Sequence, residues 1–263
     1  MDGCTTDRNW HRDHDVLARR QHRPFRTELM RRLGYERFGA QGGDWGAAIS
    51  RELGRAHPDR VLGIHLNLLP GAQAATEPTP EELAALSPEE RERTLLSWRR
   101  WAEWSREGTG YYGIQHTRPQ TLAYRLHDSP VGQLAWIIEK FREWTDSAEL
   151  PEEAVDRDRM LTDVTLYWLT GTAGSSARIH YERAHATHGR IARPAEPSTA
   201  PTALALFPAE PQVALRHKAE RTENLVRWTE FDRGGHFPAM EEPDLLIGGV
   251  RAFSRQLREK GDG

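Results

Sequence analysis

Cysteine is almost absent from this chain. Its 263 residues include a single cysteine, Cys4, so an internal disulfide bond cannot form. Disulfides are common in oxidising compartments, whereas this cysteine usage fits a reducing one. We therefore expect a cytoplasmic protein.

Long apolar segments are also missing. Residues 1–15 lack the apolar core of a secretory signal, and no run elsewhere in the sequence reaches the ~20 apolar residues that cross a bilayer. The sequence therefore predicts neither secretion nor insertion into a membrane.

Neither sign of charge dominates the composition. Lys and Arg number 36 against 39 Asp and Glu, the formal net charge is -3, and the two signs are interspersed. Such a balance offers no electrostatic attraction for nucleic acid or for an anionic membrane. A small molecule is therefore the expected binding partner.

Signals for a metal or a cofactor are weak. His11 and His14 lie in a polar N-terminal stretch, and no ligand set with metal-binding spacing follows them. The Gly-rich segment 42–47 lacks the spacing and the lysine of a phosphate-binding loop. We expect neither a metal nor a cofactor.

Hydrophobic patterns divide the chain into four parts. Residues 1–24 lack apolar periodicity and are expected to form a disordered tail, and a helix is expected over 25–34, closed by Gly34. A strand, a Gly-rich turn, a helix from Trp45 and the apolar strand 61–66 then form a βαβ unit. These features assign residues 25–69 to an α/β core.

Residues 70–193 change to long helical patterns and are interpreted as an all-helical lid. Six of the nine tryptophans lie in this stretch, namely Trp98, Trp101, Trp104, Trp136, Trp144 and Trp168. A Pro-rich linker is expected at 192–201, followed by two more strands and a final helix from Asp244 to about Arg258. The core therefore resumes over 194–263, and the fold class is α/β with a parallel sheet.

A tight turn is predicted where the first strand passes to the helix. The sequence there is Gly42-Gly43-Asp44-Trp45-Gly46, and a side chain held on such a turn needs small neighbours. This is the nucleophile-elbow pattern with aspartate as the nucleophile. The alternative interpretation is an aspartate that caps a helix.

Two further polar residues follow predicted strands. His236 lies in Gly234-Gly235-His236-Phe237, and Glu210 ends the segment LFPAE. Taken singly, each fits an ordinary loop residue. Together with Asp44 they give the chain order nucleophile, acid, histidine that an α/β-hydrolase sheet places at the carboxyl ends of its strands.

From about Phe25 to the C-terminus the sequence resembles the microsomal-type epoxide hydrolases. The segments that carry the resemblance are LGYERFGAQGGDWGAA, HPDRVLGIHLN, GYYGIQHTRPQTLAY, DSPVGQLAWIIEKFREW, YWLTGTAGSS, LFPAE and RGGHFPAMEEPDLL. The resemblance implies the α/β-hydrolase fold, with Asp44 as nucleophile, His236 as general base and Glu210 as the acid behind the histidine. It also implies that the chain lacks the family's N-terminal part, which carries four strands and a His-Gly-x-Pro motif.

The family resemblance further implies two lid tyrosines that hold the epoxide oxygen. Tyr111 matches the first tyrosine, but the family pattern Arg-x-Tyr-x-Glu reads here Arg178-Ile179-His180-Tyr181-Glu182. Histidine therefore occupies the second tyrosine position. Tyr181 is adjacent, yet one step along a helix turns a side chain by about 100°, so it does not simply replace the missing phenol.

These residue types suit epoxide hydrolysis. A carboxylate that attacks a saturated carbon forms an ester, which water can cleave, whereas a serine would form a stable ether. His236 can activate that water, and a backbone N–H such as that of Trp45 can stabilise the oxyanion. Tyr111 stays protonated at neutral pH and can donate to the leaving oxygen. His180 is expected to donate only when protonated.

Two alternatives remain at this point. A haloalkane dehalogenase also uses an aspartate followed by tryptophan, but the segment GYYGIQHTRPQ favours an epoxide hydrolase. A catalytically inactive remnant that acts only in protein interaction is the second alternative. Diol formation by the purified protein would separate the hydrolase from the remnant.

Overall fold

A four-stranded parallel sheet lies at the centre of the computed structural model, which describes residues 22–185 and 197–261. The strands lie side by side in chain order, and each neighbouring pair is parallel. Their bounds are β1 Phe38–Gly42, β2 Val61–Leu66, β3 Ser198–Leu206 and β4 Glu223–Glu230. This arrangement confirms the predicted α/β class with a parallel sheet.

Helices flank the sheet and fill the chain between β2 and β3. The helices outside that interval are α1 His22–Arg32, α2 Asp44–Ala56, α10 Arg216–Ala219, α11 Pro238–Glu241 and α12 Pro243–Gly261. Those within it are α3 Pro80–Ala84, α4 Pro88–Glu103, α5 Gly110–Thr117, α6 Pro119–Asp128, α7 Pro130–Trp144, α8 Arg157–Thr170 and α9 Ala173–His185. A π-helical turn, Trp104–Gly108, and a 3-10 turn, Pro151–Glu153, connect some of them. We call residues 80–185 the helical segment.

The sheet is apolar on both faces because helices cover it. On one face, Ile64 and Leu66 of β2 have no solvent exposure, and on the other face Ala205 of β3 is buried in a cluster with Leu246 of α12. Ala47 of α2 belongs to the same buried cluster as Ile64 and Leu66. Near-continuous apolar strands are typical of parallel sheets covered in this way.

The start of β3 corrects the predicted linker. Residues 192–201 were expected to connect the helical block to the core, but Ser198–Pro201 already belong to the strand. Proline is tolerated there because pairing with β2 begins only at Thr202, and the register with β4 is irregular between Ser198 and Pro201. Residues 192–196 lie outside the described residues.

The first helix starts earlier than the sequence indicated. It begins at His22, three residues before the expected Phe25, and Gly34 follows its end with a φ of 84°. Glycine adopts this left-handed conformation without steric strain. Residues 1–21, which include Cys4 and the rest of the expected tail, lie outside the described residues.

Helix α2 is tied to β4 by a buried ion cluster. The fully buried carboxylate of Glu223 accepts hydrogen bonds from Arg51, at 2.8 and 2.6 Å, and from Arg55 at 3.4 Å. Arg51 also donates to the carbonyl of Pro70. The helix that follows the predicted elbow is thereby fixed to the far strand of the sheet.

Among the described helices, none is long and apolar enough to cross a membrane.

His65 makes the sheet sensitive to acid. It lies on β2, it is 3% exposed, and its Nδ1 has no hydrogen-bond partner among the described residues. Burial, assisted by the charge of Arg227, lowers the pKa of His65 from 6.5 to about 4. The unfolded chain therefore takes up a proton at a higher pH than the folded chain does.

We predict that the free energy of unfolding falls as the pH drops from about 6.5 towards 4, by on the order of 3 kcal/mol from this one group. Urea unfolding at a series of pH values would measure the change. A His65→Leu variant, which has no titratable group at this position, should lose this contribution and keep that of other buried histidines such as His180. An unchanged slope in the variant would assign the effect to other residues.

Candidate active site

Asp44 stands on a strained turn between β1 and α2. Its φ is 47°, and it is the one non-glycine residue with a positive φ in the described ranges. A Cβ on Gly42 would lie 2.2 Å from the carbonyl oxygen of Gly46, and a Cβ on Gly43 would lie 2.4 Å from the side chain of Asn67. The predicted tight turn is present, and its two leading glycines are required by close contacts.

Gly46, unlike Gly42 and Gly43, has no close neighbour that requires glycine. A Cβ added at Gly46 would meet no atom within 4 Å, whereas the next residue, Ala47, is fully buried. The helix turns position 46 away from the sheet, so close packing of α2 on the sheet uses Ala47 instead.

The two glycines therefore give a matched pair of variants. We predict that Gly42→Ala disrupts the turn, because a Cβ there would overlap backbone atoms that cannot move without displacing the helix. Gly46→Ala should be tolerated and should stabilise the protein by about 0.5–1 kcal/mol, because alanine is favoured over glycine in a helix. Thermal unfolding of both variants measures this, and similar melting temperatures would contradict it.

Glu210 and His236 reach Asp44 from the loops after β3 and β4. The Nδ1 of His236 lies 2.8 Å from Glu210 Oε2, and its Nε2 lies 3.0 Å from Asp44 Oδ2. The other oxygen of Glu210 accepts a hydrogen bond from the backbone N–H of Gln212 at 3.0 Å. Glu210 and His236 are buried, whereas the side chain of Asp44 is 49% exposed. The structure thus brings together the three residues that the sequence singled out.

The charges of these three side chains depend on one another. Burial alone would raise the pKa of Asp44, but the hydrogen bond and charge of His236, with the N–H of Trp45, lower it instead. Burial alone would lower the pKa of His236, but Glu210 and Asp44 together raise it to about 10. At neutral pH the histidine is therefore an imidazolium between two carboxylates.

The backbone N–H of Trp45, the predicted oxyanion donor, already points at the nucleophile position. It donates a hydrogen bond to Asp44 Oδ1, while Oδ2 faces His236. The two carboxylate oxygens of Asp44 therefore have different environments. One oxygen is held by a backbone dipole and the other by the histidine.

Tyr111, on α5, packs among aromatic rings at the same site. Its ring lies edge-on to Trp144, with centroids 5.5 Å apart, and the Nζ of Lys140 lies 4.6 Å from its centroid. Burial, and then the negative charge of Asp44, raise the pKa of Tyr111 well above its ordinary value. The phenol therefore keeps its proton at any physiological pH.

His180, on α9, lies between the predicted elbow and the tyrosine. Its ring centroid is 5.1 Å from that of Trp45 and 6.1 Å from that of Tyr111. Burial outweighs the opposing charge of Asp44 and lowers the pKa of His180 to about 4. The imidazole of His180 is therefore neutral at neutral pH and carries a single N–H. We expected His180 to donate a hydrogen bond only when protonated, but at neutral pH only this neutral N–H can donate.

Tyr181 is not part of this ring cluster. Its ring stacks on His185, with centroids 3.9 Å apart, and none of the ring contacts of His180 among the described residues includes it. The step of about 100° between successive helical residues accounts for this separation. His180 therefore lies in the ring cluster at the site, whereas Tyr181 lies outside it.

Sequence reasoning did not single out three other members of the cluster. The ring of Tyr112 lies 5.2 Å from that of His180 and 3.6 Å from that of His116. The spacing of four residues between Tyr112 and His116 on α5 places them on one helix face, which was the available signal. Trp144 was noted only for composition, yet its ring lies 5.0 Å from that of His236.

Metal ligands are not grouped at this site. In residues 22–185 and 197–261, no three His, Cys, Asp or Glu side chains are arranged to hold a metal ion. His11 and His14 lie outside those ranges. The described residues bring together a half-exposed carboxylate, a histidine paired with a second carboxylate, and neutral hydrogen-bond donors.

Comparison of the sequence with known proteins gives relatives of one kind, although no family model matches. A protein of Stigmatella aurantiaca that carries the provisional name epoxide hydrolase is 43% identical over 240 residues, which are 89% of this chain and 50% of that protein. Epoxide hydrolase 1 of Sus scrofa is 35% identical over 250 residues, or 89% of this chain and 54% of that protein.

Solved structures give the same result. The epoxide hydrolase of Aspergillus niger matches with a TM-score of 0.73 and 29% identity over 91% of this chain and 57% of that one. The juvenile hormone epoxide hydrolase of Bombyx mori matches with a TM-score of 0.77 and 26% identity over 92% of this chain and 59% of that one. The chain spans about half the length of the curated relatives it matches.

Proposed function

The chain belongs to the epoxide hydrolase family of the α/β-hydrolase fold, and on that premise we propose that it hydrolyses an epoxide to a vicinal diol. The observation that carries the proposal is the half-exposed carboxylate of Asp44 on a strained turn, hydrogen-bonded to the buried His236–Glu210 pair. The named relatives favour an epoxide over the haloalkane that a dehalogenase would take.

In the first step, Oδ2 of Asp44 attacks one epoxide carbon. The carbon–oxygen bond of the ring breaks, an ester forms on Asp44, and the leaving oxygen takes up negative charge. Tyr111 donates a hydrogen bond and a proton to that oxygen, since its raised pKa keeps the phenol protonated before the reaction. His180 supplies a second hydrogen bond through its neutral N–H, a role that Tyr181 is too far turned to share.

In the second step, water cleaves the ester. Esterification removes the negative charge of Asp44, so the pKa of His236 falls and its proton passes through water to the Tyr111 phenolate. This transfer restores the phenol and leaves a neutral imidazole that can accept a proton from the attacking water. Glu210 stabilises the imidazolium that results. The N–H of Trp45, which already donates to Oδ1, faces the oxygen that becomes the oxyanion. Breakdown of the tetrahedral intermediate restores Asp44 and releases the diol.

The substrate class and the compartment are part of this proposal. The steps above need a small-molecule epoxide, water and the side chains of this chain, with no cofactor, nucleic acid or membrane. The single cysteine supports a cytoplasmic setting. Because epoxides alkylate cellular nucleophiles, conversion to diols would serve detoxification.

An ester intermediate can be trapped. In a His236→Gln variant the water is no longer activated, so we predict an adduct equal to the mass of the substrate after incubation with a styrene-type epoxide. Intact-protein mass spectrometry followed by peptide mapping should locate it on Asp44. The matched control is the double variant with Asp44→Asn, which should show no adduct. A label that maps to any other residue would exclude the proposed nucleophile.

Proton donation by Tyr111 can be distinguished from a role in packing. We predict that Tyr111→Phe slows ester formation roughly 100-fold, because only that step creates an alkoxide, while ester hydrolysis changes little. Single-turnover kinetics measures the two steps apart. Tyr124→Phe is the matched control, since Tyr124 is 69% exposed. Equal slowing of both steps by Tyr111→Phe would instead indicate a packing role.

A further inference from the structure

Arg100, near the end of α4, connects the helical segment to the loop that carries Glu210. Its Nη1 donates hydrogen bonds to the carbonyl of Pro208 and, at 3.3 Å, to the carbonyl of Glu210. The guanidinium thus holds the backbone on both sides of Ala209. The carboxylate of Glu210 is left to accept from His236 and from the N–H of Gln212.

The loop after β4, which carries His236, is also held by residues of the helical segment. Asp146, just after α7, accepts a hydrogen bond from the N–H of Gly234 at 2.8 Å, and the carbonyl of Trp144 accepts one from the N–H of His236 at 2.8 Å. The two loops also meet directly, since the N–H of Ala209 donates to the carbonyl of Gly234 at 3.1 Å. Contacts from the helical segment therefore reach both members of the acid–base pair.

Arg100 also brings a positive charge to this junction. Its guanidinium is partly buried and interacts electrostatically with the carboxylates of Glu210 and Asp146, one from each loop. A charge placed between two carboxylates favours the arrangement in which both loops stay close to it. Both hydrogen bonds come from one nitrogen of a planar, rigid guanidinium, so the single nitrogen of a lysine, on a flexible stem, can reproduce them in part.

We propose that Arg100 is a positioning residue for the proposed acid–base pair: by holding the backbone at Pro208 and Glu210, it keeps the Glu210 carboxylate within hydrogen-bond distance of His236 Nδ1. The consequence for turnover rests on the proposed function. The consequence for the histidine does not, because it can be measured without substrate.

The substrate-free measurement is NMR of the His236 imidazole in the full chain. A hydrogen bond from Nδ1 to a carboxylate gives a far-downfield Nδ1 proton resonance and a raised pKa. Arg100→Leu should broaden or shift that resonance upfield and lower the pKa of His236 by at least one unit, whereas Arg100→Lys should retain part of both. The loss of a nearby cation alone would raise that pKa, so a fall reports the displaced Glu210.

Matched variants make the test specific. Arg93 lies on the same helix and donates to the carbonyl of Ala214 at 3.0 Å, farther along the same loop, so Arg93→Leu should leave the His236 resonance unchanged. Asp44→Asn is the positive control, since removing that charge should lower the pKa of His236 directly. If Arg100→Leu does not fold, the partial shift in Arg100→Lys relative to Arg93→Leu decides the question.

The kinetic readout separates positioning from general damage. Arg100→Leu should slow ester hydrolysis about tenfold, because that step uses the base, and should leave the rate of ester formation almost unchanged. An unchanged His236 signal in Arg100→Leu, or an equal change in Arg93→Leu, overturns the inference. A response of the His236 signal in a protein that forms no ester on Asp44 would support the inference and contradict the proposed function.

Discussion

The imidazole of His236 held between two carboxylates is the interaction on which the site depends. Asp44 comes from the turn after β1 and Glu210 from the loop after β3, and the two hydrogen bonds to the ring measure 3.0 and 2.8 Å. Loops after parallel strands gather at one edge of the sheet, so the fold places all three residues together. Moving β1, β3 or β4 relative to the other two would break this bridge.

Such a bridge requires that the strained turn at Asp44 be supported from outside. A positive φ in a non-glycine residue is unfavourable by of order 1–3 kcal/mol. The support comes from the close approach of β1 and α2 at Gly42, and from the buried cluster in which Arg51 and Arg55 hold Glu223 at the start of β4. The backbone at Asp44, next to edge strand β1, is thereby stabilised by a group on β4, the strand at the opposite edge of the sheet.

The sequence was most informative where chemistry restricts the residue type. The glycines before Asp44 and the strand-end positions of Glu210 and His236 followed from local steric and topological rules, and the helical step correctly separated Tyr181 from position 180. Sequence patterns could not place Arg100, because its acceptors lie 108 and 110 residues away. They also missed the early start of β3, since proline normally argues against a strand.

The charge of Asp44 controls the protonation of His236, and this control changes when Asp44 loses its charge. While it is ionised, it holds His236 as an imidazolium, which cannot accept a proton from water. In the proposed mechanism Asp44 becomes an ester, so that stabilisation disappears and only Glu210 still favours the charged ring. The proton on His236 then becomes easier to lose, so the histidine gains its basicity when an ester is present for water to attack. In the proposed mechanism, formation of the intermediate therefore prepares the base that removes it.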